Sequence, residues 1–332
     1  MPRIRACPED FLVEELPLYP PSGEGHHALL LIEKRLRDTD EVARELAACA
    51  GVEPGQVGYA GRKDRAAVAR QWLTVPGLDP ERALALPLTA ARVLAAHRHR
   101  HRLRLGDLAG NRFRLVVREV TPAQGSTAAA RLVELGRRGM PNRFGSQRYG
   151  RDGGNVARGQ ALLRGERLAV GRRRERLYLS ALQSAVFDEV LRRRPLPVDG
   201  LVAGDLALVH STGALLAVGD PDELAARAAR FELSATGPLV GHKMRRPRGQ
   251  ALAIERAAAA ACGVPWVDAL PRLRGHLLPG ERRPVRAPIR DARATMEGDG
   301  LRLDVTLPPG SYVTVLVEEL FPDGVEEGPA PS

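Results

Sequence analysis

Cysteine is scarce in this chain of 332 residues, and the three present, Cys7, Cys49 and Cys262, are odd in number and far apart. They form neither a disulfide framework nor a zinc motif, so a reducing compartment is the expected setting. Aromatic residues make up only 4%, so each one in a polar context raises a functional question. Lysine occurs only at Lys34, Lys63 and Lys243, and the remaining positive charge is arginine. Arginine suits bidentate phosphate contact and base stacking, although a genomic preference for arginine would give the same ratio. No apolar run approaches a membrane span, and Met1-Pro2-Arg3-Ile4-Arg5 leads into no apolar signal core. A soluble, cytoplasmic protein with no membrane partner is expected. There is no P-loop, dinucleotide-binding glycine fingerprint, nucleophile elbow or His-Glu-x-x-His motif. NTPase, dinucleotide-dependent and zinc-protease chemistry therefore lack support.

The chain does carry an excess of positive charge. Lys plus Arg is 50 against 40 Asp plus Glu, a net +10, which points to a polyanionic partner, with nucleic acid the leading candidate. Gly58-Tyr59-Ala60-Gly61-Arg62-Lys63-Asp64-Arg65 sets one carboxylate among three cations, and Asp64 is the only acid between Glu53 and Asp79. Nearby positive charge favours the ionised carboxylate, the state a nucleophile or general base needs. The competing reading makes Asp64 the cap of a helix over 65–70. A turn-held aspartate can serve both ends.

Hydrophobic periodicity predicts strands at 11–16, 28–35, 57–59, 71–75, 93–105, 112–118, 206–209, 214–217 and 301–307. Helices are predicted at 41–50 behind Thr39 or Asp40, at 127–135 between Ser126 and Gly136, and at 177–194, 221–230 and 251–261. Residues 313–317 read as strand by propensity, whereas Ser311 as a cap argues for helix. Residues 1–140 form an α+β pattern, 141–290 are mainly helical and arginine-rich, and the strand pattern then returns. The expected organisation is a discontinuous first domain, 1–140 plus 291–332, with a second domain, 141–290, inserted into it.

Two further segments carry possible chemistry. Asn142-Arg143-Phe144-Gly145-Ser146-Gln147-Arg148-Tyr149-Gly150 packs two aromatics, two arginines and two amides into nine residues. Such groups stack on and pair with unstacked bases; the plain alternative is a glycine-rich connector. His97-Arg98-His99-Arg100-His101-Arg102 alternates, but no acidic or cysteine partner supports a metal. It reads as a solvated basic strand or, functionally, as one that tracks phosphates through Arg98, Arg100 and Arg102. Glu14 and Glu15 are neighbours on a strand and point to opposite faces, which argues against a glycosidase-type carboxylate pair.

Six segments in order carry a wider likeness: Pro8-Glu9-Asp10-Phe11-Leu12-Val13-Glu14-Glu15, Gly23-Glu24-Gly25-His26-His27, Gly58 to Arg65 with Gln71-Trp72, Arg102 to Phe113, Pro141 to Gly150, and Pro309-Gly310-Ser311-Tyr312. Along nearly its full length the chain resembles the TruD family of tRNA pseudouridine synthases. The resemblance implies an α+β fold, in which a catalytic domain with a mixed, mainly antiparallel sheet flanked by helices is interrupted by an inserted α/β domain. It also implies isomerisation of uridine to pseudouridine in tRNA, at uridine-13 of the D-arm in a tRNA-Glu type substrate, by an aspartate and without cofactor or metal. The family's catalytic aspartate falls on Asp64. Its ion-pair partner falls on Arg5, where the family pattern has lysine. Substrate contacts fall on Phe11, Asn111 and Tyr312, the last in place of phenylalanine, and the ring against the target base falls on Phe113. Arg98, Arg100, Arg102 and Arg148 are the expected RNA-backbone contacts, tRNA is the expected partner, and a monomer is expected. The contrary class is a non-catalytic RNA-binding or tRNA-chaperone protein using the same basic surface.

Overall fold

The structure is a computed structural model that describes residues 1–150, 153–267 and 278–328. In chain order the first strands and helices are β1 (Arg3–Ile4), β2 (Phe11–Pro17), β3 (His27–Arg35), α1 (Thr39–Ala50), β4 (Gly58–Tyr59), β5 (Val68–Pro76), α2 (Pro80–Leu84), β6 (Ala91–His99), β7 (Leu108–Val117) and α3 (Pro122–Arg138). The middle of the chain gives β8 (Met140–Pro141), α4 (Gly154–Leu163), α5 (Arg172–Arg193), β9 (Leu206–Val209), β10 (Leu215–Ala217), α6 (Pro221–Ala229), β11 (Leu233–Leu239), α7 (Gly249–Ala261), β12 (Glu281–Pro284) and β13 (Arg286–Ala287). β14 (Arg290–Glu297), β15 (Gly300–Leu307), α8 (Val313–Leu320) and β16 (Glu326–Glu327) complete it. Two compact units result: Met1–Gly136 with Ile289–Val313 and Val317–Ser332, and Arg137–Pro288 with Thr314–Leu316.

The first unit is built on an eight-stranded sheet, β14-β15-β7-β2-β5-β3-β6, with β4 paired to β5. Only β2 and β5 run parallel among its pairs, so the sheet is mixed and mainly antiparallel. Strand β3 carries the apolar run Ala28-Leu29-Leu30, all buried, because it lies between two neighbours and is covered. Helix α1 lays Val42, Ala43, Leu46 and Ala47 against Leu30, Ile32, Leu73 and Val75. Strands β2 and β7 alternate at period two, with Phe11, Val13 and Glu15 buried on one and Phe113, Leu115 and Val117 on the other.

Several local expectations need correcting. No helix follows Asp64. Val68 pairs with Leu12 on one side and Arg35 on the other, and two flanking strands outweigh the weak helical preference of six residues. The cap of α1 is Asp38, whose N–H donates to Glu41 Oε2 at 3.0 Å, and Gly51 ends the helix at φ 68°. Helix α3 starts earlier, where Thr121 and Gln124 cap each other ahead of Pro122, and runs through Gly136 to Arg138. Helix α5 starts at Arg172. Strand β6 stops at His99, so Arg100 and Arg102 lie beyond it. Residues 313–320 are helical despite their β-branched side chains, because burial of Val313, Val315, Leu316 and Val317 overrides propensity; the N-cap position is Tyr312, not Ser311.

The second unit holds an antiparallel sheet, β10-β9-β11-β12, and the β8–β13 pair. Helix α5 packs Leu179, Leu182 and Val186 with Val240, Ala259 and Val264. Arg282 and Glu255 form a bidentate ion pair, both nearly fully buried. Replacing one member strands the other charge without water. Arg282→Met is therefore expected to cost about 3–5 kcal/mol, read as a lower midpoint in urea denaturation.

Candidate active site

Residues 61–64 belong to no regular element, so side chains must fix the turn that carries Asp64. Lys63 turns inward and forms an ion pair with Glu15, both buried. Glu15 Oε1 also accepts the Trp72 N–H at 3.2 Å. The Lys63 N–H donates to Thr39 Oγ1 at 3.0 Å, and that hydroxyl donates to Gln71 Oε1 at 2.8 Å. Burial raises the Glu15 carboxyl above its ordinary value, and Lys63 opposes the shift.

The cations flanking Asp64 in sequence pair with other acids. Arg62 reaches Asp40 at 3.4 Å, Arg65 reaches Glu41 at 3.3 Å, and Lys63 takes Glu15. From far along the chain, Arg5 Nη2 donates to Asp64 Oδ2 at 2.8 Å, while its Nη1 meets Glu327 at 3.1 Å. The Arg5 side chain is 9% exposed and that of Asp64 38%, so a buried guanidinium holds a partly exposed carboxylate. The guanidinium lies 4.4 Å above the centre of the Phe11 ring, a cation–π contact. Phe11 in turn meets Phe113 edge to face, with centroids 6.3 Å apart and planes at 80°.

Asp64, Arg5, Phe11 and Phe113 thus form one unbroken chain of contacts. Asn111 joins them through the sheet. It lies two residues before Phe113 on β7, and opposite Glu15 of β2 and Leu307 of β15. Its Oδ1 is buried with no hydrogen-bond partner among the described residues, an acceptor left for something else. Tyr312 stands at the N-cap of α8, five residues after Leu307.

A family model described as tRNA pseudouridine synthase D (TruD) matches residues 2–169 and 163–320. Curated proteins of that name are similar along almost the whole chain. A Geobacter metallireducens protein is 40% identical, with 97% of this chain and 95% of the relative covered. A Thermus thermophilus protein is 41% identical, with 99% and 92% covered. This chain belongs to the TruD family of tRNA pseudouridine synthases. It is accordingly an isomerase that modifies tRNA. A solved TruD structure from Methanosarcina mazei shares the fold at a TM-score of 0.77 and 21% identity, covering 96% of this chain and 93% of that one.

Of the arginines expected at the RNA backbone, Arg98 lies on β6, and Arg100 and Arg102 follow it on a segment that returns toward β4, where the Gly106 N–H donates to the Ala60 carbonyl at 2.8 Å. Strand β6 is an edge strand, three places from β2, or about 14 Å across the sheet. Arg98 meets Asp79 at 3.0 Å, Arg100 pairs with Glu24, and Arg102 donates to the Val57 carbonyl at 3.1 Å. Arg100 and Arg102, but not Arg98, line a cleft of about 1070 Å³ together with His99, His101 and Arg104. In the second unit, the groups expected to face bases are largely engaged internally. Phe144 packs edge-on against Phe187 under the Arg283 guanidinium, Asn142 bonds Arg283, and the Tyr149 hydroxyl donates to Asp188. Arg148 donates to Ser184 Oγ at 3.3 Å.

Sequence reasoning did not single out the Glu15–Lys63 pair, Thr39 or Lys34 as parts of this site. The usable signal was the scarcity of lysine: two of the three lysines converge here. Lys63→Met should leave Glu15 buried and unpaired, at a cost of about 3–5 kcal/mol near pH 8. A carboxyl whose folded pKa lies above its unfolded value loses stability as pH rises, so the deficit should shrink toward pH 5. Urea midpoints of both proteins at the two pH values measure it.

Proposed function

We propose that this enzyme converts uridine-13 in the D-arm of tRNA, in a tRNA-Glu type substrate, to pseudouridine, with Asp64 as the reacting carboxylate and no cofactor. The observation that carries the reading is the Arg5–Asp64 ion pair, with one guanidinium nitrogen on a partly exposed carboxylate and the edge-to-face Phe11–Phe113 pair beneath.

The chemistry asks for little else. The N1–C1′ bond breaks, uracil turns, C5 joins C1′, and the C5 proton is replaced by one on N1. Substrate and product have the same atoms and oxidation level, so neither redox nor phosphate energy is required. Two routes use the same carboxylate. Asp64 adds to C1′ as uracil leaves with the bonding pair, and is later displaced by C5; or Asp64 removes the C2′ proton as uracil leaves, giving a glycal, to which uracil adds through C5 at C1′ while the proton returns to C2′. Arg5 fixes the carboxylate in either route. Phe113 supports the freed ring, Asn111 Oδ1 accepts from a uracil N–H, and Tyr312 and Phe11 complete the walls. A duplexed target must first leave its stack.

The insert, residues 141–290, and the basic cleft bounded by Arg100 and Arg102 hold the RNA backbone, with Arg98 and Arg148 contributing once their present partners are exchanged. The enzyme acts as a monomer. Affinity for tRNA should fall with salt, with a log–log slope of roughly −0.7 to −0.9 per phosphate contact, measured by filter binding across a salt series.

Asp64→Asn keeps the size of the side chain and removes its nucleophilic charge. Its pseudouridine yield on unmodified tRNA should fall by about 10⁴-fold or more, with tRNA binding retained. Mass mapping of the RNA supplies the readout. Normal yield from the variant, or a modified position other than 13, overturns the corresponding part of the reading. Abasic sites would point instead to a base-releasing glycosidase.

A further inference from the structure

Lys34 lies on β3 and is 1% exposed. Its Nζ donates to the main-chain carbonyls of Arg37, Lys63 (3.3 Å) and Asp64 (3.0 Å). An ammonium has three N–H donors and no acceptor, so the three carbonyls use its full capacity. None of these partners is a carboxylate. A buried cation with no contacting counter-ion among the described residues is a poor choice for stability alone, and the preceding β3 positions on its face, Ile32 and Leu30, are apolar and buried. Two of its three bonds end on the turn that carries Asp64.

We propose that Lys34 is a positioning residue, whose charged ammonium clamps the Lys63 and Asp64 carbonyls and so sets the Asp64 carboxylate against Arg5. The inference rests on Asp64 being the reacting carboxylate. The charged groups facing the ammonium are Asp38 and Glu41 at the start of α1, and Asp64 and Lys63 on the turn. Burial outweighs the three acids and pushes the ammonium down from its ordinary value to about 8. Above that pH the neutral amine keeps two donors and turns a lone pair toward one carbonyl, so the clamp opens.

Deprotonation does not unfold the protein. The folded pKa lies below the unfolded one, so between pH 8 and 10.5 the folded state binds fewer protons at this group, and its contribution to stability rises with pH. Activity and stability should therefore part company on the alkaline side, which a purely structural role would not produce.

The experiment is single-turnover pseudouridine formation from pH 6 to 10 for the unmodified enzyme, Lys34→Met and Lys34→Arg, with thermal melts and tRNA Kd at each pH. The unmodified enzyme should lose rate with a midpoint near pH 8 at constant Kd, without a fall in melting temperature. Lys34→Met should run flat at about 10²-fold below the plateau, the size of effect expected for misplacing a reacting group by about 1 Å. Lys34→Arg stays charged and should also lack the limb, but its planar fork cannot meet three carbonyls in a tetrahedral arrangement, so its plateau should stay low. A full plateau rate in Lys34→Met overturns the proposal. Should that variant fail to fold, an alkaline limb unchanged in Lys34→Arg does so too. Asp64→Asn is the control: activity there removes the role of Asp64 itself, whereas an inactive Asp64→Asn beside a normal Lys34→Met removes only the clamp.

Discussion

The Asp64 carboxylate rides on a stretch of chain with no hydrogen-bonded element of its own, and a turn of this kind is held only by what reaches it from elsewhere. Lys34 takes two of its carbonyls from below, Thr39 takes the Lys63 N–H, and Glu15 takes the Lys63 ammonium. These anchors come from β3, the first turn of α1 and β2, the elements that surround β5 in the sheet and its covering layer. The sheet therefore does more than bury apolar area. Its register decides where the Glu15 and Lys34 anchors stand, and a one-residue slip would turn both to the opposite face.

The choice of cation follows from this. At the surface the chain uses arginine almost throughout, and many of those side chains sit in exposed pairs worth little individually. Inside, where three carbonyls converge on one point, a compact ammonium fits and a planar guanidinium does not. Inside, Arg282 and Arg194 use the fork bidentately on Glu255 and Asp205, and buried Arg286 spreads its fork over the Ser234 hydroxyl and the Arg138, Ala228 and Leu233 carbonyls. What composition alone presents as a bias toward arginine is, at Lys34 and Lys63, a statement about donor geometry.

Much of the frame was legible from residue pattern. The alternation in β7 and β15 and the apolar run of β3 follow directly from which faces are covered, and the family resemblance pairs Arg5 with Asp64. Two misreadings, and one segment left open between strand and helix, have a common cause. The segment after Asp64, the last residues of the His97–Arg102 alternation and the apolar helix at 313–320 are short stretches whose local preference is weaker than their surroundings. Strand pairing captured the first, the end of the sheet released the second, and burial turned the third into helix. The buried polar network was illegible for a different reason: its members are far apart along the chain, and nothing local marks Glu15 as the partner of Lys63 rather than of Arg3 or Arg5.

The ion pair itself depends on stored strain. Arg5 has φ 55°, a left-handed conformation that costs a non-glycine residue on the order of 1–3 kcal/mol. It persists because the backbone leading into it is fixed. Arg3 exchanges hydrogen bonds with Arg118 at 3.0 and 2.8 Å, and the Gly328 N–H bonds the Ile4 carbonyl at 2.7 Å. The absent side chain at Gly328 matters here, since a Cβ would sit 2.2 Å from the Arg5 carbonyl oxygen. The kink sends the side chain over Phe11, where one guanidinium spans Asp64 and Glu327. A lysine here would present a point charge with no flat face to lay on the ring and no fixed fork to span two acids. Arginine at this position therefore trades reach for orientation: the backbone is held in an unfavourable conformation so that the charge beside Asp64 arrives already aimed.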